Sequence, residues 1–410
     1  MATNGDMSTE GIAVDNGHKS TNGHTATSTY KPLASSFSNS NGKKALKIAD
    51  DLAKSLETPE EKVCRTFWFD IYKFSAMKVG VDVGFFNFPA GSAGTTFSAD
   101  ELGQECGVET RLLSRFLKVL AAEGFVDESG TNRFRSNGVT VVMSDYNFQG
   151  LVNEQFEIGL GIAHALPEYL KSNHYKEPTD AHATVFRHVK NTDKTTFGWF
   201  ADPANAQALS NNTRHMTAKN KMARRWFEVV DTYSVLGEAS GAEAPLLVDV
   251  GGSNGSDATA LLRACPKLKG SIVVQDLEFP IVDSKNKLPS GIVGQVYDFF
   301  TPQPIFGAKN YFLHMVLHDW PDAQCRQILG NQKKAMVRGH SKILINEIVV
   351  PDQGAGWYEM GVDMIMMTCL SATERTETEW RNLIESSGLV LSEILGCDGE
   401  WEKVLVVDLP

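Results

Sequence analysis

The chain has 410 residues, 42% of them hydrophobic and 22% charged, with a net charge of -11 and a pI near 5.4. That length suits two or three domains whose cores need no disulfide staples, and the acidic field repels phosphate backbones and anionic membranes. The basic residues gather only in short pairs such as Lys333-Lys334, the six cysteines form no C-x-x-C pair, and no apolar leader or spanning stretch is visible. We therefore expect no nucleic-acid partner, no membrane, no metal cluster of cysteines, and a reducing, cytoplasmic location.

Residues 1–42 are rich in Ser, Thr, Asn and Gly, too poor in large apolar side chains to offset the entropy of ordering, and read as a disordered leader. Helical spacing begins near Ala45 and runs through Phe67, Phe69, Ile71 and Phe74. Ser98 is placed to cap a helix starting at Ala99, and Gly107 to close a turn. A second helix, Glu109 to Glu123, carries Leu112, Leu113, Phe116, Leu117 and Leu120 on one face. Phe125-Val126, a turn at Ser129-Gly130 and Phe134 then predict a hairpin. Helix, turn, helix and hairpin is a winged-helix arrangement. Its second helix offers only Arg111, Arg115 and Lys118 as cations, so a structural or dimer-forming role fits better than DNA binding. Residues 151–235 read as mostly helical.

From Pro245 the pattern changes to short apolar runs (Leu246–Val250, Ser271–Gln275, Asn310–Leu313, Lys342–Val349) alternating with helical stretches, the signature of a parallel sheet in a doubly wound α/β domain. Two more strand-like runs, Val390–Leu395 and Lys403–Leu409, end the chain. The first run leads into Gly251-Gly252-Ser253-Asn254-Gly255, where glycines permit a tight turn and let a ligand approach the backbone. Asp276, 21 residues after Gly255, ends the next run, where an acid can accept both hydroxyls of a ribose. The loop departs from G-x-G-x-x-G spacing, which favours S-adenosylmethionine (SAM) over a nicotinamide dinucleotide; an ordinary strand-to-helix turn stays open as the plain alternative.

His318 follows the apolar run Tyr311–Leu313, at the carboxyl end of a parallel strand, where such sheets bind ligands. An imidazole is a natural general base for a phenol, which loses its proton as it attacks an electrophilic methyl group. Asp319, adjacent in an extended segment, is expected to point the other way. Either Glu347, at the end of its strand, or Glu374 is placed to orient the imidazole; Glu374 equally suits a capping role beside Thr376 and Thr378. The methionines Met360, Met364, Met366 and Met367 suit core filling or the grip of a flat ring.

Six motifs in order over residues 60–410 resemble the plant- and fungal-type class I SAM-dependent O-methyltransferases, most of all the fungal secondary-metabolism branch. They are Val248–Gly255, Val274–Leu277, Tyr297–Phe300, Leu317–Asp322, Leu344–Glu347 and Glu374–Trp380. The resemblance implies an α/β, Rossmann-like catalytic domain (241–410), a helical substrate-pocket region (151–240) and an N-terminal, mostly α-helical winged-helix dimerisation domain (43–150) that forms a homodimer. It also implies SAM held by Gly251, Gly252, Ser253, Gly255, Asp276, Leu277, Asp298, Phe299 and His314. His318 would be the base, assisted by Glu347 and Glu374, with Met216, Met366 and Met367 gripping an aromatic or polyketide-type substrate and no metal. The expected reaction is methylation of a phenolic or enolic hydroxyl. The alternative is a pericyclase on the same scaffold, which binds SAM without transferring its methyl group.

Overall fold

The computed structural model describes residues 39–410 apart from 89–91, 223, 238–243, 285–287 and 398. The expected disordered leader thus lies outside the described residues up to 38. The first helix, Asn39–Leu56, starts inside the range given to that leader. A helix needs no apolar residue in its first turn, where the N–H groups lack intrahelical partners, so a pattern counted from Ala45 marks the start too late.

The N-terminal unit follows the predicted order. Ser98 and Glu101 form a reciprocal capping box on the helix Ala99–Cys106, and Gly107 ends it at φ +66°. The helix Thr110–Ala122 buries Leu113, Leu117 and Leu120. Strands β2 (Asp127–Gly130) and β3 (Arg133–Arg135) form the wing, and β1 (Thr96–Ser98) adds a third antiparallel strand on the far side of β3. Phe85, Phe86, Phe97 and Phe134 fill the space beneath. The first helices differ: Leu46, Leu52, Leu56, Phe67, Trp68, Phe69 and Ile71 are exposed in the single chain.

In the helical region, Tyr146–Glu154 runs through a π turn, Gln155–Gly159, into Leu160–Ser172. The helix Ala206–Lys219 packs along Tyr146–Glu154. Gly150 lets that pair approach, because a Cβ there would sit 2.4 Å from Cβ of Arg214.

The C-terminal sheet comprises β4 (Leu247–Val250), β5 (Ile272–Asp276), β6 (Ile292–Val296), β7 (Asn310–His314), β8 (Lys342–Val350), β9 (Arg375–Thr376), β10 (Val390–Leu395) and β11 (Glu402–Asp408). Its order is β10-β11-β8-β7-β4-β5-β6, with β9 beside the end of β8. The run from β8 to β6 is parallel; β11 and β10 close the edge antiparallel. The predicted apolar runs thus become the buried parallel strands, apolar on both faces because helices cover both. The chain leaves β4 toward β5 and β6, then returns to β7 on the other side. The carboxyl ends of β4 and β7 therefore flank a topological switch point, where open α/β sheets bind ligands.

Candidate active site

The glycine loop follows β4 at that switch point. Gly251 (φ +77°) and Gly255 (φ +74°) occupy left-handed conformations, as does Ser253 (φ 52°). A Cβ on Gly252 would lie 2.5 Å from the carboxyl carbon of Asp249, and one on Gly251 2.9 Å from Val316. A side chain is therefore excluded at Gly251 by space and backbone conformation, and at Gly252 by space. Asp276, at the end of β5, reaches back: its Oδ2 accepts the N–H of Ser253 at 2.8 Å and its Oδ1 that of Leu277 at 2.7 Å. Each oxygen keeps a lone pair for a ligand hydroxyl. Burial pushes the Asp276 carboxyl up, and pushes Asp249 up to about 7 with help from the charge of Asp257. Such an acid-rich, partly desolvated cradle suits a cation with a ribose, which is the chemistry of SAM. Leu277 is exposed. Asp298 Oδ1 accepts the N–H of Phe300 in a tight turn. Phe299 packs edge-on to Phe300 and Trp320 and borders the space above Gly251.

His314 ends β7 as the centre of an ion cluster. Its Nδ1 lies 2.6 Å from Asp257 and its Nε2 3.0 Å from Glu402. Arg225 pairs with Asp257, and Asn346 donates to Glu402 at 2.8 Å. Burial alone would lower the His314 pKa, but the hydrogen bonds and charges of the two carboxylates raise it to about 10. Sequence reasoning named His314 and missed its partners. Asp257 had a signal, an acid in the first turn of the helix Ser256–Ala264. Glu402 had none, since an antiparallel strand 88 residues away delivers it.

Beyond β7 the backbone turns at Met315 (φ 51°) into a single 3₁₀ turn, Leu317–Asp319. His318 is 6% exposed, and its Nδ1 sits 2.7 Å from Glu374 Oε1. Glu374, just before β9, is held by its own N–H to Asp363 Oδ1 at 3.0 Å. Thr376, not Glu374, caps the helix Glu377–Ser386 with Glu379. The two readings left open for Glu374 thus resolve to the imidazole partner.

Glu347 takes a different position from the one expected. Its Oε1 accepts the N–H groups of Val316 at 2.9 Å, Leu317 at 2.8 Å and His318 at 3.4 Å, so it shapes the turn that carries the histidine. Its Oε2 and that of Glu374 are buried without a hydrogen-bond partner among the described residues. Burial and the charges of Glu374 and Asp319 push Glu347 up to about 7, against the pull of His318.

The expectation for Asp319 is overturned. Its Oδ1 lies 3.4 Å from His318 Nε2. In a 3₁₀ turn successive side chains are about 120° apart, not on opposite faces as in a strand. Burial opposes charge on His318, but Asp319, Glu347 and Glu374 outweigh it and raise its pKa to about 9. Donor atoms of His318, Glu347 and Glu374 lie within 4.8 Å of one another, a spacing that would also admit a cation. Arg375, buried behind the turn, donates to the carbonyls of Leu317 and Trp320 and to Asp322, locking the backbone in place.

Of the expected substrate residues, Met216 lies on the helix Ala206–Lys219, whose last residue, Lys219, is close enough for its charge to act on Asp319 and Glu402. Met366 and Met367 are half-buried on the helix Trp357–Leu370, which leads directly to Glu374.

The O-methyltransferase domain family model matches residues 184–390. A demethylsterigmatocystin 6-O-methyltransferase of Aspergillus parasiticus is 34% identical over 80% of this chain and 83% of its own. The O-methyltransferase ucdC of Aspergillus ustus is 33% identical over 91% of this chain and 96% of its own. Among solved structures, the complex of LepI with SAM superposes with a TM-score of 0.84 at 30% identity, covering 92% of this chain and 96% of LepI. A solved structure described as a pericyclic reaction enzyme also gives a TM-score of 0.84 at 30% identity, covering 92% of this chain and 96% of its own. OxaC in complex with sinefungin and meleagrin gives 0.78 at 26%, covering 90% of this chain and 93% of OxaC. The chain belongs to the SAM-dependent O-methyltransferases, on the branch that holds fungal enzymes of secondary metabolism.

Proposed function

We propose that the protein methylates a phenolic or enolic hydroxyl of a small aromatic or polyketide-type metabolite, with His318 as general base. The observation that carries the reading is the buried His318–Glu374 pair, 2.7 Å apart, at the carboxyl end of β7 beside the glycine loop. Bound SAM supplies an electrophilic methyl group. The chain supplies alignment and proton removal. Gly251, Gly252, Ser253 and Gly255 leave room against the backbone, Asp276 takes the ribose hydroxyls, and Asp298, Phe299 and Leu277 border the adenine. The acidic cluster around Asp249 and His314 receives the charged amino-acid end. His318 Nε2 accepts the hydroxyl proton while Glu374 Oε1 holds Nδ1–H, and Glu347 fixes the backbone that presents the ring. Met216, Met366 and Met367 grip the substrate. The demethylsterigmatocystin enzyme, an O-methyltransferase by name, supports transfer to oxygen.

A pericyclic reaction on this scaffold is the second reading, supported by the 0.84 TM-score to a pericyclic reaction enzyme. Incubation with methyl-labelled SAM separates the two. Label on a substrate oxygen is expected; product formed without label would overturn methyl transfer.

The exposed apolar side chains of the first helices support a homodimer through the N-terminal domain, because a monomer rarely leaves so continuous an apolar face in water. Light scattering at micromolar concentration is expected to give twice the 45.0 kDa chain mass; one chain mass would contradict the dimer. No helix among the described residues is long and apolar enough to cross a membrane.

A further inference from the structure

A second histidine–glutamate pair stands apart from the catalytic turn. His215, on the helix Ala206–Lys219, places Nδ1 2.6 Å from Oε2 of Glu154. Asn212 Nδ2 donates to the other oxygen, Glu154 Oε1, at 2.9 Å. One turn toward the helix start, Asn211 donates to Glu157 at 3.2 Å. The side chains of His215 and Glu154 are 17% and 11% exposed. Both oxygens of Glu154 are thus engaged, and in the neutral tautomer that donates Nδ1–H to this carboxylate the ring presents Nε2 as an acceptor, with no hydrogen-bond partner for it among the described residues.

The pair joins the helix that carries Met216 and Lys219 to the helix Tyr146–Glu154, along which it packs. His215 and Lys219 are four residues apart and share a helix face. Lys219 is near enough for its charge to act on Asp319, which borders His318. From the other side, the charge of Glu154 reaches Cys369, on the helix that carries Met366 and Met367. Met216 is the next residue on the chain. Burying a His–Glu pair costs desolvation that packing alone does not require, and apolar side chains would fill this helix contact at lower cost.

We propose that His215 and Glu154 form a specificity site for a second hydroxyl of the substrate, one that donates its hydrogen to His215 Nε2 while another hydroxyl is methylated beside His318. The proposal rests on the O-methyltransferase reading for its substrate class, but its test needs no methyl transfer. Glu154 acts through His215 as a positioning residue, fixing the tautomer. The favoured substrates carry two separated hydroxyls on a fused aromatic or polyketide framework.

The test is calorimetric titration of the full-length protein, saturated with S-adenosylhomocysteine, with 1,5-dihydroxynaphthalene and 1-naphthol. The wild type is expected to bind the dihydroxy compound about tenfold tighter, the worth of one well-placed hydrogen bond. His215→Phe, which keeps the volume and loses the acceptor, removes that preference. Glu154→Gln weakens it and His215→Gln restores part of it. Titration with S-adenosylhomocysteine shows that each variant is folded. An undiminished preference in His215→Phe, no preference in the wild type, or no binding of either compound would overturn the proposal. Failure of methyl transfer with this preference intact would instead count against the O-methyltransferase reading alone.

Discussion

Two of the histidine–glutamate pairs among the described residues are nearly equal in length, 2.7 Å at His318–Glu374 and 2.6 Å at His215–Glu154, in very different surroundings. His318 has three acids around it, which together hold its pKa near 9 despite burial. His215 has asparagines for neighbours, and its carboxylate is already satisfied by Asn212. We propose two purposes for the same pair. Surplus negative charge raises the proton affinity of His318, whereas the amide contacts hold the carboxylate that orients His215. The difference also extends to stability. Glu347, beside His318, has a buried oxygen without a partner and a pKa pushed to about 7, while both oxygens of Glu154 have hydrogen-bond partners.

The sharpest way to break that comparison is to remove each histidine. His318→Ala is expected to lower the rate constant by about 10²–10⁴, the usual worth of general-base catalysis, with SAM affinity in calorimetry retained. His215→Ala is expected to act on KM for dihydroxy substrates. An effect of similar size on kcat from both variants would erase the distinction.

A smaller effect separates the contribution of Asp319. Because His318 titrates near 9, the imidazolium persists through neutral pH and the base form grows as pH rises. The kcat–pH profile of the wild type is therefore expected to climb between pH 7 and 9. Asp319→Asn removes the largest charge holding that proton, so its ascending limb moves to lower pH. An unmoved limb would mean that Asp319 does not set the proton affinity of His318.

The smallest expected effect concerns stability. Glu347 titrates near 7 when folded and near 4.5 when unfolded, so the unfolded chain loses its proton first as pH rises. The resulting penalty is absent below about 4.5, grows through the interval and is complete above 7. Glu347→Gln removes it, by at most about 3 kcal/mol at pH 8. The variant's melting temperature is expected to equal or exceed the wild type's at pH 8, with the difference shrinking as pH falls toward 5. A difference independent of pH would place the effect elsewhere.

Much of this was legible in the sequence, for identifiable reasons. Apolar runs read as parallel strands because both faces of β4, β7 and β8 are covered. Asp276 and His318 read as site residues because strand ends at a switch point are where ligands bind. The orientation of Asp319 was not legible, since it depends on one residue, Met315, entering a left-handed conformation before the 3₁₀ turn Leu317–Asp319. Glu347 was read as an imidazole partner because spacing reveals which strand end a side chain occupies but not whether backbone N–H groups reach it first. The His215–Glu154 pair joins residues 61 apart on antiparallel helices, a register that no local pattern encodes.

The central claim, methyl transfer to oxygen with His318 removing the proton, is tested most directly by a single-turnover experiment with methyl-labelled SAM. Wild type and His318→Ala are compared with hydroxylated aromatic substrates at saturating concentration. Label on a substrate oxygen is expected with the wild type and its near loss with His318→Ala, although both bind SAM. Undiminished labelling by His318→Ala, or wild-type product that carries no label, would contradict it.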